Sequence, residues 1–317
     1  MLKDKSIKFS IIIPLYNEER NINILHKELI SISKDYEYEI IYVNDGSTDS
    51  TYNNLVGAVE TERSNVPIKI INIHKNIGQT LAFKIGLDNS LYDVIVFMDG
   101  DLQNNPQDIP ILIDEFRKGY DLVQGVRYRR KDPFFTRVLP SLVANFVLRV
   151  VCGSKFKDLG CSLKIFYKRN IDEIIFYQGM HRMLPIYYSL KSKKVTEVAV
   201  SHRRRVYEKS KYGFSRSFEI LFEIVKINFF EKESNFFIYT SCLIGLLLII
   251  MSLLSYFFII LNNFMISLKM MIAVVTLIVG IYSFVISASL YIIRSSYIYQ
   301  KRLNLLKNNL WDVESFG

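Results

Sequence analysis

Two carboxylates at alternate positions close a short apolar run. Val94-Ile95-Val96-Phe97-Met98 leads straight into Asp99-Gly100-Asp101, and Pro106 stops the loop. Carboxylates spaced i, i+2 on a tight turn can hold one hard cation together. Mg²⁺ typically takes one or two carboxylates and completes its shell with water and substrate phosphates. The chain also carries cations suited to phosphate oxygens. Gly125-Val126-Arg127-Tyr128-Arg129-Arg130 is followed by Arg137 and Ser141, and Ser201-His202-Arg203-Arg204-Arg205 by Lys209-Ser210-Lys211-Tyr212. Arginine forks bind phosphate oxygens bidentately. The bland alternatives are a solvated acidic loop and basic runs lying against a membrane surface.

Elements that could position these groups are legible around them. Phe9 to Ile13 reads as a strand ending at Pro14-Leu15-Tyr16-Asn17-Glu18-Glu19, with Asn17 as a helix cap. The helix after it places Ile22, Leu25, Leu29 and Ile32 on one face. Glu39 to Val43 is a second strand opening into Asn44-Asp45-Gly46-Ser47-Thr48-Asp49-Ser50, and a helix follows to about Arg63. Pro67 to Ile73 is a third strand, and Asn76-Ile77-Gly78-Gln79 starts a further helix. Val94 to Met98 is the fourth strand and Asp121 to Val126 the fifth. Strands alternating with helices predict a doubly wound α/β sheet, in which ligands bind at the carboxyl ends of the strands. Asp99 and Asp101 sit at such an end. No Gly-x-Gly-x-x-Gly follows the first strand and no Gly-x-x-x-x-Gly-Lys-Ser/Thr occurs, which disfavours dinucleotide binding and a P-loop.

The chain has 317 residues and a formal charge of +9, with 50% hydrophobic residues unevenly distributed. From Phe236 to Ile293 the sole charged residue is Lys269. Residues 236–261 and 270–293 are each long enough for a bilayer, which needs roughly 20 residues. Their short connector makes them a transmembrane hairpin. Arg294, Lys301, Arg302 and Lys307 follow it, and Lys209, Lys211, Arg216, Lys226 and Lys232 precede it, so the positive-inside rule places both termini in the cytoplasm. Apolar stretches with basic residues, about 133–151 and 214–231, suit helices lying in the membrane interface or packed on the sheet. The expected organisation is a domain over 1–234, a hairpin over 235–294 and a cytoplasmic tail over 295–317. Three cysteines, Cys152, Cys161 and Cys242, lack metal-like spacing and fit reduced thiols. Metal ligands, two cation groups and a hairpin together suit a phosphorylated soluble donor meeting a phosphorylated lipid.

At this point the residues resemble a known family, the polyprenyl-phosphate glycosyltransferases of the dolichol-phosphate mannose synthase and bactoprenol glucosyltransferase type. Ile13-Pro14-Leu15-Tyr16-Asn17-Glu18, Val43 to Asp49 and Asn76-Ile77-Gly78-Gln79 resemble its three nucleotide-binding segments. Met98-Asp99-Gly100-Asp101-Leu102-Gln103-Asn104-Asn105-Pro106 is similar to its metal motif, and Asp158-Leu159-Gly160-Cys161 to the acidic segment near its reacting centre. The resemblance covers nearly the whole chain. It departs at Glu208, where the family usually has glycine, and at Asn44-Asp45, where paired aspartates are common.

The resemblance implies a nucleotide-sugar-binding (GT-A-like, Rossmann-like) mixed sheet carrying interfacial helices and the hairpin. It implies Mg²⁺ or Mn²⁺ on Asp99, Asp101 and Gln103. Pro14, Tyr16, Asn17, Glu18, Asp45, Gly78, Asp99, Arg205, Ser210 and Lys211 would bind the nucleotide sugar, and Arg127, Arg137 and Ser141 the lipid phosphate. Asp158, Asp101 and Arg127 would act at the reacting centre, Asp158 by orienting an arginine or contacting the sugar rather than as a base. The expected reaction moves one sugar, from UDP-glucose or a related UDP-sugar, to undecaprenyl phosphate at the bacterial inner membrane. Inversion at the anomeric carbon is expected. The partners are donor, polyprenyl phosphate and membrane lipid, with no nucleic acid, and the hairpin could pack against copies of itself. A GDP-mannose-using synthase, a processive polysaccharide synthase and a non-catalytic scaffold are the alternatives. The processive synthase would need a Gln-x-x-Arg-Trp motif, and the only tryptophan is Trp311.

Overall fold

The computed structural model describes residues 7–32, 36–62, 64–128, 156–171, 179–191, 193–203 and 311–316, with the single positions 275, 278, 282, 285, 289 and 292. The chain divides into two compact units, Met1–Glu223 with Lys301–Gly317, and Ile224–Gln300.

In the first unit the elements run β1 (Lys8–Leu15), α1 (Ile22–Ile30), β2 (Glu37–Asp45), α2 (Thr51–Thr61), β3 (Ile68–Ile73), α3 (Gln79–Asp88), β4 (Val94–Phe97), α4 (Ile109–Phe116), β5 (Leu122–Arg127), β6 (Lys164–Tyr167), α5 (Met180–Leu190), β7 (Val195–Val200) and β8 (Trp311–Phe316). They build one mixed sheet in the order β7-β5-β6-β4-β1-β2-β3-β8. Strands β3, β2, β1 and β4 are mutually parallel. Their near-continuous Ile/Val/Phe sequences are what a strand covered on both faces requires. On one face, Phe9, Ile11, Ile13 and Leu15 of β1 pack with Leu25 and Leu29 of α1, Leu55 of α2 and Leu112 of α4. On the other face lies α3. A Cβ on Gly86 would meet the Ile12 side chain at 2.5 Å, so this glycine lets α3 lie close against β1. Phe83 of α3 meets Phe97 edge-on at 4.5 Å.

Strands β6, β7 and β8 were not anticipated from the sequence. β6 enters antiparallel between β4 and β5, which makes the sheet mixed. β8 closes the far edge antiparallel to β3, with Phe316 opposite Ile68. An edge strand's open backbone groups are a template for another strand, and the distant C-terminal segment covers them. The expected interfacial stretches 133–151 and 214–231 lie outside the described residues, as do the spans 236–261 and 270–293 apart from the six single positions. Among the described residues no helix is long and apolar enough to cross a membrane.

Candidate active site

Strand order reverses between β1 and β4, which makes their carboxyl ends the switch point of the sheet. Pro14 determines where the opening lies. In the parallel ladder Ile12 pairs with Phe97, and Met98 N donates to Ile12 O at 3.3 Å. The next rung would need an N–H from Pro14, which has none. β4 therefore stops at Phe97, and the chain turns away at Met98 into the two aspartates. Pro14 itself lies inside β1, opposite Val43, rather than ending the strand.

Asn17 does not cap α1; Asn21 holds that position, and Asn17 sits four residues earlier in the left-handed region at φ 54°. Asparagine tolerates that conformation because its side chain bonds locally. The Asn17 carboxamide oxygen accepts from Thr48 N at 2.8 Å, and Asn17 N donates to Ser47 Oγ at 3.0 Å. Glu18 N donates to Thr51 Oγ1 at 2.7 Å. The loops after β1 and β2 are thus laced together. Asp45 joins the third loop. Its Oδ1 accepts from Ile77 N (2.8 Å) and its Oδ2 from Gly78 N (3.0 Å) and Asn76 Nδ2 (3.1 Å). Burial pushes its carboxyl up to about 6, against the pull of the Ile77 and Gly78 N–H groups. Gly46 is at φ 63°, and a Cβ there would lie 2.3 Å from Asn76 N, so only glycine fits this crossing.

In the Asp99–Asp101 turn Asp99 is half-buried and Gly100 and Asp101 are buried. Asp101 is 6% exposed, and Leu102 at φ 61° carries the reversal in a backbone conformation that costs on the order of 1 kcal/mol. Asp99 Oδ1 accepts from Gln79 Nε2 at 2.6 Å, Asp99 N donates to Ser162 Oγ at 3.3 Å, and Gln103 N donates to Asp101 Oδ1 at 3.1 Å. Burial pushes the Asp99 carboxyl up, and the like charge of Asp101 adds to the rise, while Ser162, Arg182 and Gln79 oppose it. Two carboxylates at alternate positions of one turn fit a cation. Among the described residues no group of three or more His, Cys, Asp or Glu could hold a metal. A hard cation held by Asp99, Asp101 and the Gln103 amide would complete its shell with a ligand's oxygens, as Mg²⁺ sites do.

Arg127, at the end of β5, and Asp158 are brought together across 31 residues. Nε donates to Oδ2 at 2.7 Å, Nη2 to Oδ1 at 2.6 Å, and the Arg127 backbone N to Oδ2 at 3.2 Å. Their side chains are 13% and 7% exposed. A Cβ on Gly160 would meet Arg127 Nη2 at 2.6 Å, so the glycine leaves room for the guanidinium. Asp158 is held in turn by β7, since Lys157 N and Asp158 N donate to Glu197 Oε1 at 2.8 and 3.2 Å. Four residues on, Ser162 touches the Asp99–Asp101 loop at Asp99 N and accepts from Asn104 Nδ2 at 2.5 Å. The segment 158–162 therefore joins the two groups. Cys161 within it is buried, and burial pushes its thiol up to about 12, which makes it an inert packing residue.

The second basic run starts against the same loop. Arg203 N donates to Gln103 O at 2.9 Å, and its guanidinium binds Glu28 (2.6 and 2.9 Å) and Asn105 (2.7 Å). Arg203 is thereby tied to the protein. Arg205, Ser210, Lys211, Arg137 and Ser141 lie outside the described residues. Tyr16 is half-buried in the loop after β1. Gln79 lay in a segment already quoted, whereas Ser162, Lys164, Arg182 and Glu197 were given no role from the sequence. Their only signal there was a polar residue beside or within an apolar stretch.

Comparison with known proteins accounts for this arrangement. Residues 10–176 match the model of Glycosyl transferase family 2. The chain is 36% identical over 234 residues to dodecaprenyl-phosphate galacturonate synthase of Rhizobium johnstonii, covering 72% of this chain and 68% of that protein. Its fold is similar to glucosyl-3-phosphoglycerate synthase of Mycobacterium tuberculosis. One crystal structure of that protein, with Mn²⁺, UDP and phosphoglyceric acid, has a TM-score of 0.56 at 16% identity, covering 70% of this chain and 78% of the other. Another, with Mn²⁺ and UDP-glucose, has a TM-score of 0.52 at 16% identity, covering 70% and 79%. The chain belongs to glycosyl transferase family 2, as a polyprenyl-phosphate glycosyltransferase.

Proposed function

We propose that this enzyme transfers one sugar from a UDP-sugar to a polyprenyl phosphate, with a divalent cation held by Asp99, Asp101 and Gln103. One observation carries the reading: the segment 158–162 joins the Asp99–Asp101 turn to a fixed arginine fork, so sites for two phosphorylated groups adjoin. The identity to a dodecaprenyl-phosphate sugar synthase supports the acceptor class. The fold likeness to a protein crystallised with Mn²⁺ and UDP supports the cation and the nucleotide.

The acceptor needs little activation. A phosphate monoester has its second pKa near 6 and is largely a dianion at neutral pH. Its oxygen attacks the anomeric carbon, the bond from that carbon to the diphosphate breaks, and the nucleoside diphosphate leaves with the electron pair. Attack opposite the leaving group inverts the anomeric carbon. The cation would neutralise charge on the departing diphosphate. Arg127 would hold the acceptor phosphate in line, and Asp158 fixes the direction of its guanidinium. As the family resemblance implies, Arg205, Ser210 and Lys211 would close on the diphosphate. Arg137 and Ser141 would complete the lipid-phosphate site.

Residues 236–261 and 270–293 would hold the first unit at the cytoplasmic face of a bacterial inner membrane. In the second unit, helical Val275, Tyr282 and Val285 expose 40, 44 and 38% of their surfaces, which supports apolar surroundings for that helix. The test is full-length enzyme in detergent with undecaprenyl phosphate, Mn²⁺ and, in turn, UDP-glucose, UDP-galacturonate and GDP-mannose, read by mass spectrometry. A single-sugar polyprenyl phosphate formed from a UDP donor supports the reading. Polymer, no product or use of GDP-mannose alone would overturn it.

A further inference from the structure

Helix α5 contains a proline in its second turn. In an α-helix the carbonyl of residue i accepts from the N–H of residue i+4. Pro185 has no N–H, so the carbonyl of buried His181 loses its helical donor. A buried carbonyl left open costs about 1–3 kcal/mol. Lys164 supplies the donor from another element: its Nζ donates to His181 O at 2.8 Å. Lys164 is 0% exposed and stands on β6, directly opposite Phe97 of β4 and so two residues from Asp99 in the ladder. Its neighbours Ile165 and Phe166 are apolar core. A buried ammonium is costly unless a specific partner takes its protons. Burial pushes it down to about 8, so at pH 7 it is still mostly charged.

The contact continues toward the metal loop. His181 Nδ1 lies 2.8 Å from Thr80 Oγ1, and that hydroxyl accepts from Gly179 N at 3.0 Å. Gly179 opens α5 at φ 90°, a left-handed start. Thr80 follows Gln79, the residue that donates to Asp99 Oδ1. The next residue of α5 after His181 is Arg182, whose charge acts on Asp99.

We infer that Lys164 is a positioning residue: by holding the His181 carbonyl left open by Pro185, it sets the first turn of α5 against the Gln79–Asp99 edge of the donor site. This rests on the reading of Asp99 as part of that site. An apolar residue at 164 would remove that donor from the His181 carbonyl and free the first turn of α5 to shift. Donor binding would suffer, while the acceptor side, held by the Arg127–Asp158 pair, would not.

The test compares full-length wild type, Lys164→Met, Lys164→Arg and the double variant Lys164→Met/Pro185→Ala, in which residue 185 regains an N–H. Two signals are read: hydrogen exchange over residues 179–184, and calorimetric binding of UDP in the presence of Mn²⁺. Lys164→Met should speed exchange and weaken Mn²⁺–UDP binding by about tenfold each, the loss of one hydrogen bond from a charged donor. Its KM for undecaprenyl phosphate should stay unchanged. Adding Pro185→Ala should restore both signals. Equal losses for donor and acceptor, with no rescue, would mean bulk packing and overturn the inference. Rescue by Lys164→Arg but not by Pro185→Ala would mean the charge alone matters, and would also overturn it. Failure of wild type to bind Mn²⁺–UDP would overturn the donor-site reading itself, and is told apart because it precedes any substitution.

Discussion

The pairing of Arg127 with Asp158 makes a prediction with a calculable size. Asp158→Asn preserves volume and one acceptor oxygen but turns an NH₂ group toward the guanidinium. Of the two charge-assisted bonds, 2.6 and 2.7 Å long, one is lost and the other becomes bonding to a neutral amide. Hydrogen bonds to charged groups contribute about 1.5–3 kcal/mol and neutral ones about 1. Breaking a buried ion pair costs about 3–5 kcal/mol. Because Arg127 retains 13% exposure, the lower end applies, about 3 kcal/mol. For a domain of this size that lowers Tm by about 6–12 °C. If Asp158 works through Arg127, Arg127→Met/Asp158→Asn should lose little more activity than either single variant, with a coupling of about 2 kcal/mol or more. The assays are thermal unfolding in detergent and initial rates of lipid-linked sugar formation from pH 5 to 9. We expect Asp158→Asn to lower the rate evenly across that range. The reasoning is refuted if Asp158→Asn abolishes the acid limb of the kcat/KM profile with Tm unchanged, the signature of a base. It is refuted equally if the two losses simply add.

Three further outcomes are expected. Asp101→Ala should abolish turnover with the far-UV spectrum unchanged, and chelation of wild type should do the same until Mn²⁺ or Mg²⁺ is returned; retained activity of pure Asp101→Ala would sink the metal assignment. Gly160→Ala places a methyl 2.6 Å from the present position of Arg127 Nη2, so product formation should fall at least about tenfold, and Tm should fall by no more than the about 6–12 °C expected of Asp158→Asn, because the guanidinium moves off Asp158 while the core does not. Asp45 carries a folded-state pKa of about 6 against about 3.9 for an unfolded aspartate. The folded state thus binds the extra proton between those values, and this group makes stability fall as pH rises from about 4 to 6, by at most about 3 kcal/mol. Urea midpoints for wild type and Asp45→Asn should converge toward one end of that window, and parallel curves would contradict the burial argument.

Much of the fold was legible residue by residue. β1 to β4 are built around Ile/Val/Phe runs, because strands covered on both faces admit little else, and Asp99 and Asp101 stand out at the end of one of them. The chemistry was also legible where local spacing carries it: two carboxylates on one turn, arginines in a cluster, glycine in the Asp45-Gly46 crossing. Tertiary structure decided what depends on distant partners. β6 is four residues long and contains Lys164, and β8 pairs with β3 across more than two hundred residues, so no local period marks either. Asn17 looked like a cap because its type suits one, yet the neighbouring β2 loop offered its carboxamide a better partner in Thr48 N. Pro14 was read as the end of β1, yet it lies inside that strand, and only its place beside β4 makes it the residue that ends β4. For Asp158 the resemblance left two roles, orienting an arginine or contacting the sugar, and the fold sets Arg127 beside it, while Lys164 had no role until Pro185 took a helical donor from the His181 carbonyl. Sequence by itself determines which groups are present and what each bonds within its own turn. Which charge meets which partner is determined by packing, since ion pairs and borrowed hydrogen bonds form between atoms that only the folded sheet brings within 3 Å.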